Sequence, residues 1–270
     1  MNIYVMDIRR SLKPLIIWTV STAAVFALVI SLYPVMLNSD FVELLDAKLK
    51  LLPRELLDMF HMSGEDIREL PSYFAWVFQF VLMAACLNGA ITGINALARE
   101  QSEGTIEFLS SKPVRRGSIA AAKLAAACTE YAIYFVTVGI AGALACVFVK
   151  PAELDGVYML AQVAAVLLGG FIAGLVYLFL GLLVSVFLQR ARTAGTLAVG
   201  IFFLTYILGL LPALEVLGFL KWVSPINYFT PSQVVMAGSI DWGNALICFG
   251  VMAAFATVAF AVYRRKDFLV

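Results

Sequence analysis

The sequence predicts an all-α protein that crosses a membrane several times. Apolar residues fill 62% of its 270 positions and charged residues only 14%, whereas soluble domains average roughly 45–50% and about 25%. A soluble chain of this size would need more polar residues to cover its surface. In addition, several apolar stretches reach the length of about 20 residues with which a helix crosses a bilayer. We therefore expect a single transmembrane domain over residues 1–270 with six spans.

The expected spans cover residues 15–37, 74–98, 122–149, 157–188, 196–219 and 243–263. Of the 19 Lys and Arg residues, 13 lie before the first span, after the last span, or at the second and fourth connections between spans. Cytoplasmic segments carry such an excess of basic residues. We therefore expect a multi-pass protein of the cell membrane, of bacterial origin, with both termini in the cytoplasm.

The segments outside the spans differ in character. Residues 1–13 mix apolar and basic side chains, which suits an N-terminal interfacial helix on the inner membrane face. In segment 38–73 the apolar residues recur at helical spacing, which predicts amphipathic helices on the outer surface. Segment 220–242 is too polar to span and too aromatic for a free loop, so we expect a folded helical cap on the outer side. Segment 99–121 is the charged connection between spans 2 and 3.

The residues present also exclude several classes of function. The basic residues lie at the ends of apolar runs and form no stripe, so we expect no nucleic-acid partner. The chain has no GxxxxGK[ST] nucleotide-binding loop and no GxSxG motif, and its one histidine, His61, excludes an HExxH site. Its four cysteines are isolated from one another in apolar runs, which favours packed thiols. We therefore predict no catalytic residue, metal site or bound cofactor in this chain.

A polar face interrupts the second span. Asn88, Thr92 and Asn95 are spaced at i, i+4 and i+7, so they share one side of a helix. Gly89 and Gly93 form a small-xxx-small pair beside them. Two interpretations stay open: the polar face packs against another helix through hydrogen bonds, or it lines a translocation path.

Glu130 is the one acidic residue well inside a predicted span. An ionisable side chain within a membrane is costly and marks a functional candidate by default. At about 1.5 Å per helical residue it lies only about 10 Å beyond Lys123. It is therefore a candidate for the translocation path, or it lies in a hydrated inner vestibule or pairs with a basic residue near the interface.

The connection between spans 2 and 3 has an ordered pattern. Glu103–Ser111 can form a short amphipathic helix, with Ile106 and Leu109 on one face and Glu107 on the other. Pro113 cannot continue that helix, and Arg115 and Arg116 follow as a basic turn. Solvated surface explains the charge of this connection but not the succession of helix, proline stop and cationic turn.

These residues resemble the signature of type-2 ATP-binding-cassette (ABC) permeases. The similarity lies in the order Glu100-x-x-Glu103-Gly104-Thr105-Ile106-Glu107-Phe108-Leu109-Ser110-x-x-Pro113-Val114-x-Arg116-x-x-Ile119-x-x-x-Lys123. At Arg115 a small polar residue is more usual in that family. Ser224–Phe229 is also similar to a recurrent family sequence in the outer cap, and the arrangement of six spans extends the resemblance over nearly the whole chain.

The resemblance implies a coupling helix that docks on a separate cytoplasmic ATPase, which binds ATP and Mg. It implies two ATPase copies, a second copy of this permease or a homologous one, and the surrounding lipid bilayer as partners. The ATPase-coupling residues implied are Glu100, Glu103, Glu107, Arg115 and Arg116 as charged contacts, Ile106, Phe108 and Leu109 as apolar anchors, and Gly104, Thr105 and Pro113 between them. Residues 100–116 are called the motif segment below.

The function implied is ATP-driven export of an amphipathic, peptide, lipid-like or ionic substrate. An alternative is a membrane scaffold or regulator that anchors an ATPase without moving cargo. An ion-driven secondary transporter is less favoured, because that class predicts internal repeats and several intramembrane charges, whereas Glu130 is the one acid well inside a predicted span.

Overall fold

A computed structural model describes residues 3–37, 69–103, 116–188, 193–210 and 224–265, and every regular element in these ranges is a helix. In chain order the elements are α1 (Ile3–Ser31), α2 (Tyr33–Met36), α3 (Leu70–Glu103), α4 (Arg116–Val149), α5 (Gly156–Phe187), α6 (Ala194–Leu210), a 3-10 helix (Pro225–Phe229), α7 (Pro231–Ala237) and α8 (Trp242–Arg265). The stretch from α1 through α2 and the helices α3, α4, α5 and α8 are each long and apolar enough to cross a membrane. The all-helical, multi-pass class is therefore confirmed.

The described helices coincide with five of the six expected spans. The fifth predicted span, residues 196–219, corresponds to α6, whose 17 residues are fewer than the about 20 that a bilayer requires. Residues 211–219 lie outside the described ranges, so the six-span layout stays a prediction. The expected amphipathic helices of segment 38–73 also lie outside them, up to residue 68.

Several helix boundaries differ from the predicted ones. Residues 3–13 are not a separate interfacial helix, because α1 runs without a break through Pro14. Contacts with α4 hold this first part in line with the span: the Tyr4 hydroxyl donates to Thr129 Oγ1 at 3.1 Å. The helix α3 begins at Leu70, inside the predicted outer segment, since Leu70 and Tyr73 are buried in the core.

The predicted connection 99–121 is largely helical at both of its ends. Helix α3 continues to Glu103 and α4 begins at Arg116. The early start of α4 is explained by Ile119 and Ala120, which are buried although the sequence around them is not strongly apolar.

Aspartate caps and one glycine define helix ends near the predicted outer connections. The Asp155 carboxylate accepts a hydrogen bond from the Val157 N–H at 3.0 Å at the start of α5. The Asp241 carboxylate accepts from the Gly243 N–H at 2.8 Å at the start of α8. Both satisfy an amide that the first helical turn leaves unpaired. Helix α7 ends at Gly238, whose φ of 69° is a left-handed conformation that glycine adopts at little cost.

Two ends of the bundle are distinguished by composition. The basic end holds the start of α1 and α4 and the end of α3 and α8, where Arg9, Arg10, Arg99, Arg264 and Arg265 lie. The cap end holds the 3-10 helix and α7, which pack on α5, with Phe229 beside Gly169. This grouping of basic residues at one end agrees with their excess in the expected cytoplasmic segments, on which the predicted orientation rests.

The most extensive helix contacts form two pairs, α3 with α5 and α1 with α4. In the α3/α5 pair the backbones approach closely at glycines: a Cβ atom on Gly89 would lie 2.6 Å from the Gly174 carbonyl oxygen. In the α1/α4 pair the Phe26 ring occupies the space where Gly142 has no side chain. Small residues permit such close approach of membrane helices, so each pair is tightly packed.

An aromatic layer joins the two pairs. It consists of Phe26, Tyr131 and Phe135 from the α1/α4 pair and Phe74, Phe78 and Phe171 from the α3/α5 pair. Ring centroids across the seam lie 5.4 Å apart for Phe26 and Phe74, and 5.7 Å apart for Tyr131 and Phe171. Both distances fall within the range favoured for aromatic pairs. The seam between the pairs is therefore closed by packed rings at this level.

Candidate functional site

A polar cavity lies between α1, α3 and α4, on the basic-end side of the aromatic layer. Its volume of about 80 Å³ is enough for a few water molecules. Its polar lining consists of Asp7, Ser11, Asn88, Thr92, Asn95, Arg99, Lys123 and Glu130. The structure therefore brings all four sequence candidates for the translocation path, Asn88, Thr92, Asn95 and Glu130, into one cavity.

An ion pair closes one side of the polar cavity. Lys123 Nζ lies 3.1 Å from Asp7 Oδ2, and the two side chains are only 1% and 13% exposed. An unpaired charge would be strongly disfavoured at this degree of burial. The pair therefore ties the beginning of α1 to the beginning of α4.

Glu130 is surrounded by polar groups from two other helices. The Ser11 hydroxyl lies within hydrogen-bonding distance of the Glu130 carboxylate and also of the Asp7 carbonyl oxygen, the latter at 2.7 Å. Arg99 and Lys123 attract the carboxylate electrostatically, whereas Asp7 repels it. The structure therefore places Glu130 beside basic residues in a polar cavity, and its role in a translocation path stays a prediction. The charged lining is balanced, with two acidic and two basic side chains.

Helix α3 uses two neighbouring faces for different purposes. Gly89 and Gly93 pack against the backbone of α5, whereas Asn88, Thr92 and Asn95 border the polar cavity opposite α1 and α4. Tight packing of α3 is therefore provided by its glycines, and the polar side chains lie beside that contact. Whether a substrate passes along them stays a prediction.

Two members of the cavity were not predicted from the sequence. Asp7 and Ser11 were assigned only to an interfacial helix, whereas Arg99 lies one turn beyond Asn95 on the predicted polar face. The spacing of Asp7 and Ser11 at i and i+4, among apolar and basic residues, is the signal that could have marked a polar face on α1.

The motif segment is described only at its two ends. Glu100 and Glu103 belong to the last turns of α3 and Arg116 is the first residue of α4. The remaining predicted coupling residues lie outside the described ranges: Gly104, Thr105, Ile106, Glu107, Phe108, Leu109, Pro113 and Arg115. The motif segment thus connects the α3/α5 pair to the α1/α4 pair.

The helix ends beside the motif segment are packed together. A small apolar cluster at the basic end contains Leu97, Ala120, Leu182, Val186, Ala259 and Tyr263, which come from α3, α4, α5 and α8. The Arg264 guanidinium lies against Gly117, where an added Cβ would be 3.1 Å from Arg264 Nη2. Displacement of the segment would therefore act on four helices at once.

The predicted cap is folded in its described part. Ser224, Ile226 and Phe229 are buried. Asn227 Nδ2 donates to the Gly209 carbonyl at 2.7 Å, and Asn244 Nδ2 donates to the Tyr228 carbonyl at 3.1 Å. These bonds fasten the 3-10 helix to the end of α6 and to the start of α8.

Among the described residues no group of three or more His, Cys, Asp or Glu side chains could hold a metal ion.

Comparison with known proteins identifies the family. A search of curated proteins gave no match. Residues 1–268 match the family model described as ABC-2 family transporter protein. Since this match covers almost the whole chain and the structure is a bundle of membrane-length helices, the chain belongs to the ABC-2 transporter family and is a permease subunit of an ABC transporter.

Proposed function

We propose that this chain is the transmembrane subunit of an ATP-driven exporter. Two copies of a separate cytoplasmic ATPase would bind ATP and Mg, and a second copy of this chain or a homologous permease would complete the transporter. The observation that carries the proposal is the position of the motif segment, which joins the end of α3 to the start of α4. Those helices belong to different tightly packed pairs.

This position gives the motif segment a mechanical function. The close glycine contacts of α3 with α5, and of Phe26 with Gly142 between α1 and α4, make each pair move as one body. A force applied by the ATPase at residues 104–115 acts on both pairs and changes the angle or spacing between them. The polar cavity lies in the seam that such a motion would open.

The decisive experiment reconstitutes the permease with its ATPase in vesicles and measures ATP hydrolysis and substrate movement. Glu107→Lys reverses a charge in the motif segment, and Pro113→Gly removes its rigid stop. We expect both variants to insert normally into the membrane and to lose most transport-coupled ATP hydrolysis. Glu153→Lys is the matched control, since Glu153 is an exposed acid near the cap end and should retain normal coupling.

Two outcomes would refute parts of this proposal. Normal coupling in both motif variants would remove the docking function of the segment. ATPase capture and regulation by the permease, without movement of any amphipathic, peptide, lipid-like or ionic substrate, would instead identify a scaffold.

A further inference from the structure

Helix α1 has two opposite faces near the basic end of the bundle. One face contributes Asp7 and Ser11 to the polar cavity. Arg9 and Lys13 lie two positions away from them along the helix, which turns a side chain by about 200°, and both are exposed. They are four positions apart, so they neighbour each other on one side of α1. The two cations therefore lie together on the side of α1 that faces away from the cavity.

The charge of Arg9 and Lys13 is not balanced by an acid of the same helix. Asp7 is the one acidic residue of α1, and it pairs with Lys123 on the cavity side at 3.1 Å. Glu130 lies on the cavity side as well. Within the part of the chain that the structure describes, neither Arg9 nor Lys13 takes part in an ion pair or hydrogen bond. Both positive charges are therefore accessible to a negatively charged partner.

The same side of α1 continues with apolar residues. Ile16 and Val20 follow Arg9 by seven and eleven positions, which keeps all of them on one side of the helix. Their side chains are 57% and 61% exposed, and α1 belongs to a stretch that is long and apolar enough to cross a membrane. Arg9, Lys13, Ile16 and Val20 are called the exposed face below. This face thus begins with two cations and continues as an apolar surface.

The exposed face fits an anionic lipid better than other anionic partners. A soluble acidic protein can contact Arg9 and Lys13, but Ile16 and Val20 lie in the apolar run that would be inside the membrane. A free phosphate ion also leaves these apolar residues without a contact. A second copy of this chain, related by a two-fold axis through the exposed face, would bring like charges together. A lipid with a negative head group and an apolar chain complements both parts.

We propose that Arg9 and Lys13 bind the phosphate head group of an anionic phospholipid, whose acyl chain packs along Ile16 and Val20. The arginine fork contacts two phosphate oxygens at once, and the lysine ammonium adds a second charge one turn away. The expected orientation places this end of α1 at the cytoplasmic leaflet, which carries anionic lipids. Because the exposed face lies opposite the polar cavity, this lipid is distinct from any substrate of the proposed export function.

The test measures lipid retention by the full-length permease in the absence of the ATPase. The purified protein in detergent is mixed with equal amounts of phosphatidylglycerol and phosphatidylethanolamine that carry the same acyl chains, and bound lipid is counted by native mass spectrometry. Each Lys or Arg near an anionic surface favours binding by about a factor of five. We therefore expect Arg9→Gln and Lys13→Gln each to lower the ratio of phosphatidylglycerol to phosphatidylethanolamine about fivefold, and the double variant roughly 25-fold.

Two kinds of control locate the binding. Arg265→Gln removes one positive charge from an exposed residue at the same end of the bundle but outside the exposed face, so it should leave the ratio unchanged. Arg9→Lys and Lys13→Arg keep the charge and should keep most of the preference. Since both residues are exposed, all these variants should unfold at the wild-type temperature, which separates loss of lipid from loss of folding.

Several results would overturn the inference. Equal retention of the two lipids by wild type would exclude a preference for anionic lipid, and equal decreases in Arg9→Gln and Arg265→Gln would show only a general attraction to the basic end. Displacement of the lipid by an equal concentration of chainless glycerophosphoglycerol or inorganic phosphate would identify a phosphate site without a role for the chain. Loss of a dimer in Arg9→Gln, with an unchanged lipid ratio, would assign the exposed face to a second copy of this chain. Since no ATPase is present, each of these results leaves the proposed export function standing.

Discussion

The substitution Gly93→Ala tests the close packing of α3 against α5, on which the two-pair architecture depends. An added Cβ at Gly93 would lie 2.9 Å from both the Leu178 carbonyl carbon and the Leu182 amide nitrogen, and closer still to the Leu178 carbonyl oxygen. These are backbone atoms, so no side-chain rotation can remove the overlap. Ordinary van der Waals contacts of a Cβ atom begin at a distance of 3.4 Å. The two helices must therefore separate by at least 3.4 − 2.9 = 0.5 Å.

The expected loss of stability follows from two opposing effects. Alanine favours a helix over glycine by about 0.8–1.0 kcal/mol, whereas overpacking of a well-packed interior costs about 1–3 kcal/mol. Since the overlap involves backbone and cannot relax locally, we expect the upper part of that range to apply. Gly93→Ala should then be less stable than wild type by about 1–2 kcal/mol, which corresponds to roughly 2–8 °C in Tm for a chain of this size.

The assay is thermal unfolding of the purified permease in one detergent, followed by the loss of the monodisperse peak in gel filtration. Gly250→Ala in α8 is the matched control, because no atom lies within 4 Å of the Cβ that it would add. This control gains helix propensity without overlap, so its Tm should equal or exceed that of wild type. If Gly93→Ala unfolds at the same temperature as Gly250→Ala, the described approach of α3 to α5 is wrong.

Two further substitutions test the contacts at the basic end and at the cap end. Lys123→Met removes the basic group that lies 3.1 Å from the 13% exposed Asp7 carboxylate, and it should lower the stability by about 3 kcal/mol. The double variant with Asp7→Leu should recover most of that loss. Equal Tm values for the single and double variants would contradict a buried ion pair. Asn227→Ala removes the 2.7 Å bond to the Gly209 carbonyl and should lower the stability by about 1 kcal/mol. Gln233→Ala, at an exposed amide in the neighbouring α7, should have no effect, and a similar Tm for the two alanine variants would show that the cap is not fastened through Asn227.

The fold could be predicted largely from run length, because an apolar stretch of membrane length has few alternatives to a spanning helix. The boundaries could not, since they depend on tertiary contacts. The mixture of apolar and basic residues suggested a separate interfacial helix over residues 1–13, yet α1 continues through Pro14. Tyr4 and Asp7 hold the residues before it against α4. A local sequence pattern contains no information about these partners on a distant helix.

The candidate site shows the same division between local and distant information. The i, i+4 and i+7 spacing placed Asn88, Thr92 and Asn95 on one face of α3 correctly, because helical periodicity is a local property. Asp7 and Ser11 were missed since their partners Lys123 and Glu130 are 116 and 119 residues away in the chain. The cost of an acid within a membrane did mark Glu130 as a candidate, but the residues that compensate its charge became evident only from the packing of three helices.

Helix α3 leads into the motif segment at its end and borders the polar cavity along one face. One face of this helix is fixed to α5 by glycine contacts that leave no room for sliding. The neighbouring face borders the cavity, which polar and charged side chains line. Under the proposed coupling, a force on the end of α3 therefore moves α5 with it and changes the seam toward α1 and α4. The packed rings of Phe26, Phe74 and Phe78, which belong to the aromatic layer on the cap side of the cavity, resist that change. Under the same proposal, a substrate that stabilises the open seam at the cavity would lower the free energy required to separate those rings, and its binding at the basic end would favour opening toward the cap end.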